Sequence, residues 1–169
     1  HPIEVAGILT KFKLDASSII AGLLHDTVED TDTTVVEVKE LFGEQVASLV
    51  DGLTKLAMIE QKSGSSKQAE NFRKLLISLA QDVRVIMIMI VERLDTMRHL
   101  QVYDEDEQQE IAREVSYLYA PLAHRMGLYG IKTELEDLSL KYTSREVYKE
   151  IATKLNETKR SRDAYIKKF

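Results

Sequence analysis

Apolar side chains recur at intervals of three and four residues along nearly the whole chain, and few residues interrupt that pattern. The 169 residues include only seven glycines and two prolines, the residue types that most often break helices. A period of 3.6 residues places apolar side chains on one face of a helix, whereas a strand alternates with a period of two. The sequence therefore predicts an all-α fold.

The apolar run "VIMIMIV" at 85–91 is the one segment whose periodicity also fits a buried strand. We predict a helix there, because Leu94, Met97 and Arg98 continue the segment at helical spacing and no helix-breaking residue intervenes. A run with apolar side chains on every face also predicts that this helix is buried on all sides. We interpret four methionines as filling the core: Met58, Met87, Met89 and Met97.

Capping residues mark several helix ends. Asp15 is placed to cap a helix that continues towards the polar stretch after Leu24, and Thr34 and Glu37 have the spacing of a capping box. Gly43 is placed where a glycine commonly ends a helix. The small polar segment 61–67 predicts a loop. Further helices are predicted over 72–79, 103–121, 131–142 and 144–155.

The bulk composition excludes several classes of protein. The length fits a single domain with its own core, and there is no cysteine for a disulfide or thiolate site, which predicts a cytoplasmic protein. The net charge of −5 argues against direct DNA binding. The longest apolar run, 85–91, is too short to span a bilayer, so we expect no membrane insertion.

The stretch "GLLHDTVEDT" places one imidazole and three carboxylates directly after an apolar helical run. On a helix, His25 with Glu29 and Asp26 with Asp30 are i,i+4 pairs, so the four groups lie close together. Imidazole and carboxylate are common ligands of Zn, Mn and Fe. The stretch therefore indicates either part of a metal site, completed by ligands from elsewhere, or an ordinary solvated helix end.

Six stretches, in order along the chain, resemble the HD phosphohydrolase superfamily and, within it, the hydrolase domain of the RelA/SpoT homologues, the (p)ppGpp synthetase/hydrolase proteins. They are "HPIEVAGIL" (1–9), "AGLLHDTVEDT" (21–31), "LFGEQVASLVDGLTKL" (41–56), "NFRKLLISLAQDVRVIMI" (71–88), "YAPLAHRMGLYGIKTELEDLSLKY" (119–142) and "SRDAYI" (161–166). The resemblance implies an HD-type helical bundle.

The resemblance also implies roles for the clustered residues. It makes His1, His25 and Asp26 ligands of a metal, usually Mn²⁺, and assigns Glu29 and Asp30 to the hydrolytic water. The implied reaction removes the 3′-pyrophosphate of ppGpp or pppGpp and returns GDP or GTP and pyrophosphate.

The segment "IMIVERLDTMRH" at 88–99 departs from the family motif Ile-Lys-Leu-Ala-Asp-Arg-Leu-His-Asn-Met-Arg-Thr. Five residues differ in ways that bear on the site: Met89 for Lys, Glu92 for the ligand Asp, Asp95 for His, Thr96 for Asn and His99 for Thr. Glu92 is the candidate fourth ligand, although its extra methylene displaces the carboxylate. Three alternatives follow: a weakened hydrolase, a degenerate regulatory domain of a GTP pyrophosphokinase, and a hydrolase of another nucleotide.

The resemblance supplies the remaining expectations. Candidate nucleotide contacts are Thr96, His99, Arg125 and Lys55. We assign residues 1–156 to the HD domain and interpret 157–169, a basic tail, as the start of a connection to a downstream synthetase domain. The implied partners are guanine nucleotides and that synthetase domain, and we also expect the full-length protein to associate with ribosomes.

Overall fold

Every regular element of the described residues is a helix. The computed structural model of the protein describes residues 1–60 and 82–166. Its α-helices are α1 (Pro2–Lys11), α2 (Ala16–Leu24), α3 (Thr27–Asp30), α4 (Val35–Phe42), α5 (Glu44–Glu60), α6 (Val83–Arg98), α7 (Glu105–Glu114), α8 (Ala120–Arg125), α9 (Tyr129–Thr143) and α10 (Arg145–Ile166). The all-α prediction is confirmed, and the predicted loop at 61–67 and helix at 72–79 lie outside the described residues.

Helix α6 is the central helix of the bundle. It packs against α1, α2, α5, α8 and α9, so apolar side chains are needed on all its faces. The residues of its first half are accordingly buried almost throughout: Val85, Ile86, Ile88, Met89, Ile90 and Val91. Burying each such side chain stabilises the fold by about 1.5–3 kcal/mol. The prediction of a buried helix rather than a strand is confirmed.

The four methionines do not all occupy the core as predicted. Met89 and Met97 are buried and Met87 is partly buried, but Met58 is 56% exposed. Leu56, two residues earlier on α5, is buried. Two residues rotate a helix by about 200°, so Met58 lies on the opposite face from the buried one. The core prediction for Met58 is therefore wrong.

The predicted helix ends are confirmed at three places. The Asp15 carboxylate accepts a hydrogen bond from the Ser18 backbone N–H at 3.0 Å and caps α2. Thr34 and Glu37 form the reciprocal capping box at the start of α4. Gly43, with φ of +88°, ends α4 in a backbone conformation that favours glycine.

The helix predicted over 103–121 continues beyond Pro121 in the structure. A π-helical segment, Val115–Tyr119, joins α7 to α8, and the N–H of Ala120 donates to the carbonyl of Val115 five residues earlier. Proline lacks an N–H, and its ring would crowd the carbonyl four residues earlier, that of Tyr117. A wider turn relieves that crowding without ending the helix. Our expectation of a helix end at the proline is therefore wrong.

The last two helices agree with the prediction at their starts but not at their final end. Helix α9 matches the predicted 131–142, while α10 continues eleven residues beyond the predicted end at Leu155. The boundary that we predict between 156 and 157 falls inside α10, and this division stays a prediction. None of the helices in 1–60 and 82–166 has both the length and the apolarity needed to cross a bilayer.

Candidate metal centre

Two histidines meet at the ends of two packed helices. Helices α1 and α2 are joined by the short connection 12–15 and pack side by side, so the start of α1 lies beside the end of α2. His1 directly precedes α1, His25 directly follows α2, and their ring centroids are 5.3 Å apart. Gly22 permits this packing, because a Cβ there would lie 2.5 Å from Leu9 Cδ1.

One carboxylate completes a cluster with the two imidazoles. His1, His25 and Asp26 each present a donor atom, and these three atoms all lie within 4.8 Å of one another. His25 is buried, Asp26 is half-buried and His1 reaches solvent. The structure therefore brings together the three residues that the resemblance names as metal ligands, in a cluster that reaches solvent through His1.

The His25 ring is oriented with Nε2 towards the cluster. Its Nδ1 lies 2.8 Å from the Gly22 carbonyl oxygen, which can only accept, so Nδ1 carries a hydrogen. Nε2 is buried and lies 3.0 Å from Asp26 Oδ1, but the two atoms are not aligned for a hydrogen bond. Burial lowers the pKa of His25, but Asp26, the Gly22 carbonyl and the Glu92 charge outweigh it and raise the pKa overall. Nε2 thus points to a position that favours positive charge.

The His1 ring is also held through its Nδ1, but by a side chain from another helix. Its Nδ1 lies 2.6 Å from Asp95 Oδ2, and its Nε2 lies 3.8 Å from Glu92 Oε1. Asp95 is only 3% exposed. Both histidines therefore have Nδ1 held by an acceptor, which leaves Nε2 as the nitrogen available to a cation, the arrangement that metal-ligating histidines need. This donor set fits a divalent cation.

Glu92 lies at the edge of the cluster. Thr96 Oγ1 donates a hydrogen bond to Glu92 Oε1 at 3.2 Å, and the same oxygen faces His1 Nε2. The three-residue group found among the described residues does not include Glu92. Its distance of 3.8 Å from His1 Nε2 nevertheless leaves Glu92 close enough to approach a cation held by the other three residues.

A family model described as "HD domain" matches residues 1–129. This chain belongs to the HD-domain family. Two curated relatives place this HD domain in the RelA/SpoT branch. A GTP pyrophosphokinase of Myxococcus xanthus is 51% identical over 98% of this chain, and a guanosine-3′,5′-bis(diphosphate) 3′-pyrophosphohydrolase of Aquifex aeolicus is 46% identical over all of it. The chain spans only 22% and 24% of the length of these two relatives.

A solved structure supports the same placement. It is that of a metazoan orthologue of SpoT that hydrolyses ppGpp. It superposes with a TM-score of 0.58 at 25% identity, covering 86% of this chain and 79% of the other. The HD-type helical bundle implied by the resemblance is confirmed.

The two acidic residues assigned to the hydrolytic water lie on α3, directly after the His25–Asp26 pair. Both Glu29 and Asp30 are exposed. Partial burial, followed by the charges of Asp26 and Asp30, raises the pKa of Glu29 above its usual value. A carboxyl group with a raised pKa is a better proton acceptor than an ordinary one.

The structure places two of the four candidate nucleotide contacts beside the cluster and the other two away from it. Thr96 contacts Glu92, and His99 Nδ1 donates to the backbone carbonyl oxygen of Asp95 at 2.9 Å, so both lie beside the cluster. Lys55 is exposed and pairs with a carboxylate one turn earlier on α5, and Arg125 is exposed at the end of α8. Within residues 1–60 and 82–166, no hydrogen bond or ion pair joins Lys55 or Arg125 to the cluster.

Sequence reasoning missed the role of Asp95. It noted the residue as a departure from the family motif and gave it no function. The signal was present, because a carboxylate on a helix predicted to be buried on all sides requires a partner. Naming His1 as that partner required the tertiary contact between α1 and α6.

Proposed function

We propose that this HD domain hydrolyses the 3′-pyrophosphate of ppGpp and pppGpp with a bound divalent cation, Mn²⁺, and releases pyrophosphate with GDP or GTP. The observation that carries the proposal is the convergence of donor atoms of His1, His25 and Asp26 within 4.8 Å of one another, with Nδ1 of both histidines held by an acceptor. The names of the Aquifex aeolicus relative and of the metazoan orthologue support the substrate.

Each residue of the cluster has a part in this proposal. His1, His25 and Asp26 would hold the cation, with Glu92 as a fourth ligand after a small movement. A cation bound there supplies Lewis acidity, which lowers the pKa of water and offsets the negative charge of pyrophosphate. Glu29, whose pKa is raised by burial and by Asp26 and Asp30, would accept the proton of the attacking water.

We infer a larger protein around this domain. Relatives named GTP pyrophosphokinase match nearly all of this chain with only 22% of their own length. We propose that the full-length protein also carries a synthetase domain after this one and acts on guanine nucleotides there. Ribosome association of that protein stays a prediction from the resemblance.

A regulatory domain without activity is the second candidate. Glu92, at the position of the family's ligand Asp, accepts a hydrogen bond from Thr96 and lies 3.8 Å from His1 Nε2 rather than within the three-residue cluster. An HD domain with an incomplete ligand set would serve to hold the synthetase domain in an active or inactive state.

The two candidates differ in pyrophosphate release from ppGpp. We expect the purified chain to release pyrophosphate in Mn²⁺ and to lose that activity in EDTA. The substitution His25→Ala is expected to lower the rate by more than about 100-fold, because it removes a ligand rather than an outer partner. His124→Ala is the matched control, since His124 is exposed at the end of α8 and stacks edge-on against Tyr129.

Two results would contradict the proposal. No release at millimolar Mn²⁺ would favour the regulatory domain. Turnover of a deoxynucleoside triphosphate or a cyclic nucleotide, with ppGpp inert, would show an HD hydrolase of a different substrate. The double substitution Glu92→Asp with Thr96→Asn restores the family residues, so a rise in rate in that variant would locate any weakness of the hydrolase at this segment.

A further inference from the structure

Asp95 is a buried carboxylate on the helix that forms the centre of the core. Its neighbours Leu94 and Met97 on α6 are buried apolar residues, and Asp95 itself is 3% exposed. A carboxylate in such surroundings is costly unless it is paired. Its partner is His1, whose Nδ1 lies 2.6 Å from Oδ2. The contact joins α6 to the residue that begins α1.

We propose that Asp95 is a positioning residue, which holds Nδ1 of His1 and so fixes the ring in the tautomer and orientation that direct Nε2 towards His25 and Asp26. An ionised carboxylate only accepts hydrogen bonds, so it requires the hydrogen of His1 on Nδ1. The lone pair then lies on Nε2, the nitrogen that Asp95 does not hold. The inference deepens the proposed function and depends on it for its consequence in catalysis.

Asp95 is itself held in place. His99, the residue directly after α6, donates through Nδ1 to the Asp95 backbone carbonyl, and the same nitrogen lies 3.4 Å from Asp95 Oδ1. The helix backbone and this second histidine therefore restrict the carboxylate to the side of α6 that faces His1. His99 acts through Asp95 in this arrangement and does not enter the cluster.

The residue type at position 95 decides how firmly His1 is oriented. In the family motif this position is a histidine, whose ring can either donate or accept. Such a partner permits both tautomers of His1, whereas Asp95 permits one. His99 contacts Asp95, so both residues belong to the support of His1.

The first test uses the metal-free chain. Long-range ¹H–¹⁵N NMR of the imidazole rings distinguishes the two tautomers. We expect His1 to carry its hydrogen on Nδ1 in the unaltered chain and to show a mixture of tautomers in Asp95→Ala. Asp95→Asn retains a carbonyl oxygen that can accept and is expected to be intermediate, and it keeps the test valid if the alanine variant fails to fold.

The second test measures binding of Mn²⁺ alone by calorimetry. We expect Asp95→Ala to weaken binding by roughly 10–100-fold, the usual effect of losing the partner of a ligand. Asp137→Asn is the control, since it removes one negative charge on the exposed face of α9 and should leave binding unchanged.

The outcomes separate this inference from the proposed function. If both Asp95 variants keep the tautomer of His1 and the affinity for Mn²⁺ while His25→Ala loses binding, Asp95 has no positioning role and the metal site stands. If the unaltered chain binds no Mn²⁺, the proposed function fails. The tautomer of His1 in the Asp95 variants still supports or overturns the positioning role in that case.

Discussion

The substitution Gly22→Ala tests whether close packing of α1 on α2 builds the metal centre. Gly22 is a buried position on α2, and a Cβ there would lie 2.5 Å from Leu9 Cδ1 and 3.5 Å from Val5 Cγ1. Leu9 is fully buried, so its side chain cannot swing into solvent to make room. The added methyl group must therefore move α1 away from α2 or force Leu9 out of its rotamer.

The expected magnitude follows from two opposing contributions. Overpacking of a buried contact costs about 1–3 kcal/mol, whereas alanine in place of glycine within a helix gains about 0.5–1 kcal/mol. Gly22→Ala should therefore lower the free energy of unfolding by up to about 2.5 kcal/mol. Gly7→Ala is the matched control on α1, because nothing lies within 4 Å of its Cβ position, and it should raise that energy by about 0.5–1 kcal/mol.

Urea denaturation of both variants measures the contact directly. The helix contribution is shared, so the difference between the two variants, about 1–3 kcal/mol, reports the clash alone. A movement of α1 away from α2 would also separate His1 from His25, so we expect Mn²⁺ affinity to fall in Gly22→Ala and to stay unchanged in Gly7→Ala. If both variants are stabilised by the same amount, the packing argument is refuted.

Two further predictions concern the fold. Arg84 donates hydrogen bonds to Asp82 and also pairs with Asp15. Its hydrogen bonds hold the pKa of Asp82 below its usual value. A carboxyl pKa that is lowered in the folded state gives stability that is complete above about pH 4 and is lost as the pH falls further. Arg84→Ala should therefore lower the free energy of unfolding at pH 7 by about 0.5–1 kcal/mol and reduce its decline below about pH 4 in urea titrations. An unchanged decline would contradict the role of the pair. Thr34→Ala removes the capping box with Glu37 and should cost about 1 kcal/mol in the same assay, while an unchanged midpoint would show that α4 does not need its cap.

Local chemistry in the sequence determined the helices and most of their ends. The capping of α2 by Asp15, the capping box of Thr34 and Gly43 at the end of α4 depend on residues within four positions of each other, so they could be predicted from the chain alone. Helix α6 could be distinguished from a strand for the same reason, because its period continues to Arg98. The HD pair at His25 and Asp26, adjacent in sequence, marked the site.

Long-range packing decided what the local pattern left open. The exposure of Met58 depends on which face of α5 meets the core, and the continuation of the helix through Pro121 depends on a π turn that no propensity predicts. The partner of Asp95 is 94 residues away in sequence, and only the packing of α1 against α6 brings the two side chains together. The sequence thus indicated the candidate ligands, and the local helix geometry orients His25 through the Gly22 carbonyl three residues earlier. Only the tertiary structure orients His1, because the acceptor that holds its ring comes from a distant helix.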